Sequence, residues 1–418
     1  MQMKPTQTLQ TDYLIIGAGL IGSAVAMGLA RLGVDRVTVV DLDLAGEWSS
    51  SELNAGGVRA TWSQEVNLLT SKFSIEYYEK NAELVGYRDC GYLWLHRQAT
   101  WENALKAREM HVAKGWQVDV LDPRQIQNQV PFIDKTSDLV GGLFGVKDGL
   151  VNPNRLKEHY REEAAQAGVK FLDGVWIETA DLKTESNLHR LHAFQFNESL
   201  TSEQKKICLT EVTQKNPLSE AQGQSLIIEA KNVVNCGGAW APALAKILGY
   251  VCPSVPVRRQ ISLFHARDLD LTPYGMIIDP SGVYFHPEAI YGLSGFANAD
   301  EAPGFNFQYD GESFFQEHIW PALYERSTAF ESLRHVSGWA GLYESSPDHH
   351  AIVGAVKGLS GIYEAHSFSG HGAMQSYGVV ISLAELMVKQ AYHTLDLSEL
   401  SGDRFQSGRK LSDELWVI

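Results

Sequence analysis

Gly17, Gly19 and Gly22 follow an apolar run ending at Ile16, and their GxGxxG spacing suits a loop that holds a pyrophosphate. Gly17 permits a tight turn, Gly19 lets the phosphates approach the backbone, and Gly22 lets the next helix pack closely on the strand. Leu20 and Ile21 open that helix, whose free N–H groups and positive dipole end favour phosphate. Asp41 follows near the ~20-residue interval of an acid that binds ribose hydroxyls, and an acid there repels the 2′-phosphate of NADP. The plainer alternative is an ordinary βαβ unit with a solvated Asp41. Tyr284 and His286, in "SGVYFHPE", alternate onto one face of a strand. His349 and His350 are adjacent, so their side chains point apart, and no metal site is expected. Cys90, Cys208, Cys236 and Cys252 lack CxxC spacing, which argues for buried free thiols rather than zinc or a redox pair.

The elements that must position these residues follow from periodicity. Tyr13–Ile16 reads as a strand, Ser23–Leu32 as an Ala-rich helix stopped by Gly33, and "DRVTVVD" as a β-branched strand ending at Asp41. Lys72–Val85 and Thr100–Lys114 carry helical patterns. "VKFLDGVWIETA", "LHRLHAFQF" and "SLIIEAKNVVNC" read as strands, interrupted by a hydrophilic surface excursion from Ser199 to Gln224. Beyond Val251, "ISLFHA", "GVYFHPEAIYGLSGF" and "FNFQY" suggest an antiparallel sheet, followed by the helix "YGVVISLAELMVKQA". The predicted fold class is α/β with α+β: a Rossmann-type nucleotide-binding domain with an inserted antiparallel β-sheet domain. The expected division is 11–85, 146–250 and 338–405 for the first domain, 86–145 and 251–337 for the second, and 406–418 as a C-terminal tail.

At 418 residues, two domains are expected. The chain is 44% hydrophobic and 20% charged, an ordinary globular composition. Thirty-five basic residues against 50 acidic ones give a net charge of -15, which excludes nucleic acid as an expected partner. No apolar run reaches the ~20 residues of a membrane span. The opening "MQMKPTQTLQT" lacks the apolar core of a secretory signal, so the default compartment is cytoplasmic.

Four further motifs occur in order: "SSSELNAGGVR" ending at Arg59, "DGLVNP" from Asp148, "NVVNCGGAW" ending at Trp240, and "SFSGHG" from Ser367 to Gly372. Together with GxGxxG they resemble the D-amino-acid oxidase superfamily of FAD-dependent oxidoreductases, nearest its sarcosine and glycine oxidase branch. "WAGLYESSPDHHAIVG" and "LDLSELSGDRF" also resemble the mitochondrial FAD-dependent oxidoreductase-domain proteins linked to respiratory complex I assembly. The resemblance runs from about Asp12 to about Phe405. It implies FAD as the cofactor. It places Ser50 and Ser51 beside the pyrophosphate, Ile177 at the adenine, and Gly237, Gly238 and Trp240 at the second strand end. It sets Leu342, Phe368, Ser369, Gly370, His371 and Gly372 along the flavin. Arg59 would serve the cofactor or the substrate, the alternative being a surface ion pair; His371 would either bond backbone as a structural histidine or transfer a proton.

The implied activity is oxidation of the C–N bond of an amino acid or secondary amine by hydride transfer to flavin N5, with Arg59, Tyr284, His286 and His371 around the substrate. Departures from the branch limit this expectation. Gly341 stands where monomeric sarcosine oxidases carry the flavin-linking cysteine, so FAD is expected to be non-covalent. Met374 replaces a substrate-binding lysine and Trp62 a second arginine, so a small amino acid loses its usual anchors; His286 could replace them, the alternative being a structural strand histidine at the sheet rim. No lysine occurs between Lys246 and Lys357, which favours a dehydrogenase using a quinone or carrier over an oxidase using oxygen. Oxidation of a 2-hydroxy acid, with His286 or His371 as base, and a flavin-bearing assembly or scaffold role remain as alternatives, as does an NAD-dependent enzyme.

Overall fold

The computed structural model describes residues 7–182, 188–211, 218, 223–409 and 411–416. The first strand, Gln7–Ile16, is much longer than its apolar core because its polar half pairs in parallel with Gly223–Asn235, from Gln7 opposite Leu226 to Ile16 opposite Asn235. On its other side it pairs in parallel with Val37–Val40, which ends one residue before Asp41. The helix Leu20–Arg31 starts directly after Gly19 and buries Ala24, Val25, Met27 and Leu29 against the sheet and the helix Gly372–Lys389. The strand Ile362–His366 lies beside Gly223–Asn235, so the "SFSGHG" turn emerges at the same sheet edge as the glycine loop. Eight strands form this sheet.

A second eight-stranded sheet collects Tyr92–His96, Val118–Leu121 and Gly141–Gly145 from the first half of the chain with Val255–His265, Met276–Ile278, Tyr284–Glu288, Tyr291–Phe296 and Arg334–Ser345 from the second. It is antiparallel except for one parallel join between Met276–Ile278 and Tyr92–His96. The strand Arg334–Ser345 crosses the expected boundary at 338, since it pairs along the whole of Val255–His265. No helix among the described residues is long and apolar enough to cross a membrane.

Three expectations need correction. "FNFQY" is an extended connection and not a strand; Phe305 stacks on Trp240 with ring centroids 5.8 Å apart, and Phe307 meets Trp48 edge-on at 5.1 Å. The Ser199–Gln224 excursion contains a helix, Ser202–Thr210, capped by Thr201 and Gln204; residues 212–217 and 219–222 lie outside the described residues. That helix is not merely a surface detour: Cys208 is fully buried, Lys205 pairs with Asp43 at 2.9 Å, and Leu209 O accepts from Trp240 Nε1 at 2.7 Å. Residues 411–416, set apart as part of a tail, run back into the protein, where Glu414 and Trp416 are buried.

Candidate active site

Two adjoining cavities lie where the two sheets meet, and Leu20, Ile21, Ser50, Ser51 and Glu344 line both. The first is a cradle built largely of backbone. Gly17 has φ +103°, and a Cβ there would stand 2.3 Å from Cys236 O; one on Gly22 would stand 1.8 Å from Gly17 O. Only glycine lets the turn, the neighbouring strand end and the helix approach this closely. Gly22 therefore shapes the cradle from behind without lining it, while Gly17 and Gly19 face the space.

Asp41 lines this cavity, and its carboxylate is aimed by two backbone donors: Ala18 N–H to Oδ2 at 2.6 Å and Asp43 N–H to Oδ1 at 3.0 Å. Burial pushes its pKa up, while these bonds oppose that shift. Asp41 is thus held by backbone amides at the cavity wall rather than projecting freely from the strand end. Ser51 Oγ accepts from Leu20 N at 2.9 Å, leaving its own hydrogen to donate into the cavity. Ser50 differs, since its hydroxyl donates to Leu342 O at 2.6 Å. Ile177, Gly237, Gly238 and Trp240 line the far end. Trp48 Nε1 and Trp176 Nε1 are buried there without a hydrogen-bond partner among the described residues.

The second cavity is built of side chains from distant segments. Arg59 is 1% exposed; its guanidinium donates to the carbonyls of Thr61 and Trp416, and lies 3.5 Å from the Trp62 ring centre and 4.8 Å from that of Trp94. The surface ion-pair alternative is thereby overturned. The short pairing of Gly57–Val58 with Gly149–Leu150 holds this loop, and the buried Asp148 carboxylate accepts from Ala60 N at 2.8 Å, Thr61 Oγ1 at 3.0 Å and Trp116 Nε1 at 3.1 Å. Burial raises the Asp148 pKa to about 6. The "DGLVNP" motif thus acts by tying down the Arg59 loop.

Phe368, Ser369, Gly370, His371 and Gly372 border the second cavity at the start of the helix Gly372–Lys389. Ser369 has φ +51° and Gly370 φ +90°, so the turn presents its backbone to the cavity while Ser369 N–H donates to Glu344 O at 3.2 Å. The expected backbone anchor for His371 is absent: both ring nitrogens are buried without a partner among the described residues, and the ring packs 4.2 Å from Trp62. Burial, then the charge of Arg59, hold its pKa well below the ordinary histidine value, so the ring is neutral.

Tyr284 lines the cavity, but His286 does not. His286 is 2% exposed, its Nδ1–H donates to Pro287 O at 2.9 Å, and burial lowers its pKa to about 4. It neither reaches the second cavity nor carries the charge that a carboxylate anchor needs.

Four functional candidates escaped the sequence. Arg259 lines the second cavity, its buried Nε unpartnered among the described residues and its guanidinium 5.1 Å from the Tyr343 ring centre. The adjacent pair Arg258-Arg259 on a strand was the available signal, because alternation sends the two to opposite faces; Arg258 is occupied by Glu301 at 2.9 Å and Asp310 at 3.0 Å. Tyr92 and Tyr343 add two more phenols. Glu344, at the junction of both cavities, is buried, and burial raises its pKa to about 7. His350, by contrast, is engaged structurally by Asn67 Nδ2 at 3.0 Å and Ser412 O at 2.9 Å.

Over 435 residues the chain is 28% identical to FAD-dependent oxidoreductase domain-containing protein 1 of Xenopus laevis, spanning 96% of this chain and 84% of that relative. It is 24% identical over 399 residues to monomeric sarcosine oxidase of Bacillus sp. (strain B-0618), spanning 90% and 91% of the two chains. The solved structure of L-proline dehydrogenase from P. horikoshii shares the fold with a TM-score of 0.81 at 22% identity, over 96% of this chain and 99% of that one. Residues 12–386 match the DAO family, FAD dependent oxidoreductase. With its glycine cradle opening onto a cavity bordered by "SFSGHG", the chain belongs to this family of FAD-dependent oxidoreductases.

Proposed function

We propose that the protein binds FAD non-covalently across the first cavity and oxidises the C–N bond of an amino acid or secondary amine in the second. The residues present suit FAD: Gly17 and Gly19 set bare backbone at the cavity wall, Asp41 has acceptor capacity left for ribose hydroxyls, and two buried indole N–H groups have no acceptor among the described residues. Non-covalent binding rests on Gly341, where the branch's linking cysteine is missing. Bound FAD would supply the two-electron acceptor. Gly17, Gly19, Ser51, Asp41, Ile177, Gly237 and Gly238 would hold it, with Phe368 to Gly372 beside the ring.

Arg259 carries the substrate assignment. The missing lysine and second arginine argued against a small amino acid, but Arg259 lines the cavity, with its Nη1 donating to Arg258 O at 3.0 Å and its buried Nε without a partner among the described residues. A carboxylate answers that donor with charge-assisted bonds, and an apolar amine would leave it unsatisfied. Tyr92, Tyr284 and Tyr343 shape an aromatic slot around the remainder. An amine must lose its proton before it can release hydride; Glu344, near neutrality in its pKa, suits that proton, whereas His371, held neutral far below it, suits a hydrogen-bonding role. Arg259 also places a cation in the region that lacks lysine, which removes the charge argument for preferring a dehydrogenase over an oxidase.

The test is anaerobic addition of D- and L-amino acids, N-methyl amino acids and 2-hydroxy acids to the yellow protein, read near ~450 nm, the flavin band. Bleaching by an amino acid or N-methyl amino acid is expected. Bleaching by 2-hydroxy acids alone, or by none of them while dithionite bleaches fully, overturns the reading.

A further inference from the structure

We propose that Cys252 is a second reactive centre, a thiolate held against His366 that takes an oxygen atom from hydrogen peroxide to form a sulfenic acid. The proposal is independent of what the second cavity oxidises. Cys252 is partly exposed, and its Sγ lies 4.0 Å from His366 Nδ1; His366 Nε2 lies 3.2 Å from Glu364 Oε2. This is a nucleophile, a base and an orienting carboxylate in sequence, the arrangement that activates thiols. A relay supplements the direct contact: Cys252 Sγ is 3.5 Å from Ser254 Oγ, Ser254 Oγ bonds Ser367 Oγ, and Ser367 Oγ is 2.7 Å from His366 Nδ1.

The elements explain the juxtaposition. Glu364 and His366 are alternate residues of one strand and so share a face, and Cys252 reaches them from the segment that leaves the first sheet for the second. His366 also lines the first cavity, and Glu344 and Tyr250 are the other ionisable groups facing this cluster. Burial works to raise the Cys252 thiol, but the hydrogen bond and charge of His366 outweigh it and hold the pKa below its ordinary value. His366 is lowered by burial but raised further by Cys252 and Glu364, so it ends above its ordinary value, consistent with a thiolate–imidazolium pair. Among the described residues the other cysteines have no histidine partner: burial raises Cys90, Cys208 and Cys236 alike, and the last two are buried.

The step balances without other reactants. A lone pair of the thiolate sulfur attacks one peroxide oxygen, the S–O bond forms and the O–O bond breaks. Sulfur is oxidised by two electrons, and the departing hydroxide takes the proton of the His366 imidazolium to leave as water. Glu364 then faces a neutral imidazole.

The experiment treats the purified holoprotein with hydrogen peroxide in the presence of dimedone and follows tagging of each cysteine by peptide mass spectrometry. Tagging of Cys252 at least about tenfold faster than Cys90, the other partly exposed thiol, is expected, as is an about tenfold fall for Cys252 alone in His366→Gln. Cys252 reacting no faster than Cys90, or a wild-type rate in folded His366→Gln, overturns the proposal. Should that variant not fold, iodoacetamide alkylation of the unaltered protein from about pH 5 to about pH 9 decides: a midpoint for Cys252 below that of Cys90 supports the proposal, and one at or above it overturns it.

Discussion

The two cavities adjoin, yet they are built on opposite plans. The first depends on backbone: glycines that leave room, helix N–H groups that await an anion, and short side chains such as Ser51 and Asp41 fixed by neighbouring amides. The second depends on long side chains, Arg59, Arg259, Tyr92, Tyr284 and Tyr343, brought from five separate stretches of chain. A backbone cradle fits a chemical group common to a whole family, whereas side chains can be exchanged without disturbing the fold. The difference predicts that damage to the first cavity removes protein or cofactor, whereas exchange of a side chain that lines the second without bracing the fold, such as Arg259, alters substrate binding alone.

The largest effect belongs to Gly22→Val. Its new side chain would begin 1.8 Å from Gly17 O, and backbone cannot yield as a flexible side chain does. We expect no stable yellow protein, a destabilisation beyond about 4 kcal/mol, measured by soluble yield and flavin content. Next comes Trp416→Ala, because this buried indole packs 5.1 Å from Trp94 and its carbonyl accepts from Arg59. Burial of that kind is worth about 3–5 kcal/mol. Thermal melting should fall markedly, and the loosened Arg59 should make substrate bleaching slower in whatever flavoprotein is recovered.

Glu344→Gln sharpens the comparison at the junction. The Glu344 pKa is raised to about 7 in the folded protein, above its ordinary value, so between these values the folded state keeps a proton that the unfolded chain has lost. Its stabilising contribution is complete below the ordinary glutamate pKa and disappears as pH rises through about 7. The variant should flatten that slope and stabilise the apoprotein at pH ~8 by on the order of 2 kcal/mol, read by denaturant melts across pH. Arg259→Met should leave flavin content and melting unchanged while raising KM for a carboxylate-bearing substrate at least about tenfold, equivalent to about 1.4 kcal/mol. A KM unchanged in that variant would dissociate the second cavity from carboxylate binding. Smallest is Ser51→Ala, which removes the acceptor of Leu20 N–H; one hydrogen bond of this kind is worth about 1 kcal/mol, so FAD affinity should weaken severalfold.

The cradle was legible because its determinants are local. Gly17 to Gly22 span one turn and the first residues of the helix after it, and Asp41 directly follows the adjacent strand, so spacing alone brings them together. The same locality made "SFSGHG" readable as a turn entering a helix. His286 left two readings open, and the structure favours the structural one, because strand alternation states which residues share a face without stating where along that face the cavity ends. Arg259 is less legible because the chain provides its cation as arginine in a region where its relatives carry lysine, and only one of the adjacent Arg258 and Arg259 lines the cavity. The helix Ser202–Thr210 was hidden by its polar surroundings, and its contact with Trp240 joins residues far apart in sequence.

By itself the sequence determined the dinucleotide cradle, the pairing of a Rossmann-type domain with a second sheet, and the family. Each rests on short-range patterns in which neighbouring residues satisfy one another through backbone geometry. Only the tertiary structure decided which side chains line the second cavity, that the Trp416 carbonyl holds Arg59, and that Cys252 meets His366. These contacts close across long loops and depend on burial, and burial, which sets both charge and reach, exists only once the two sheets have packed.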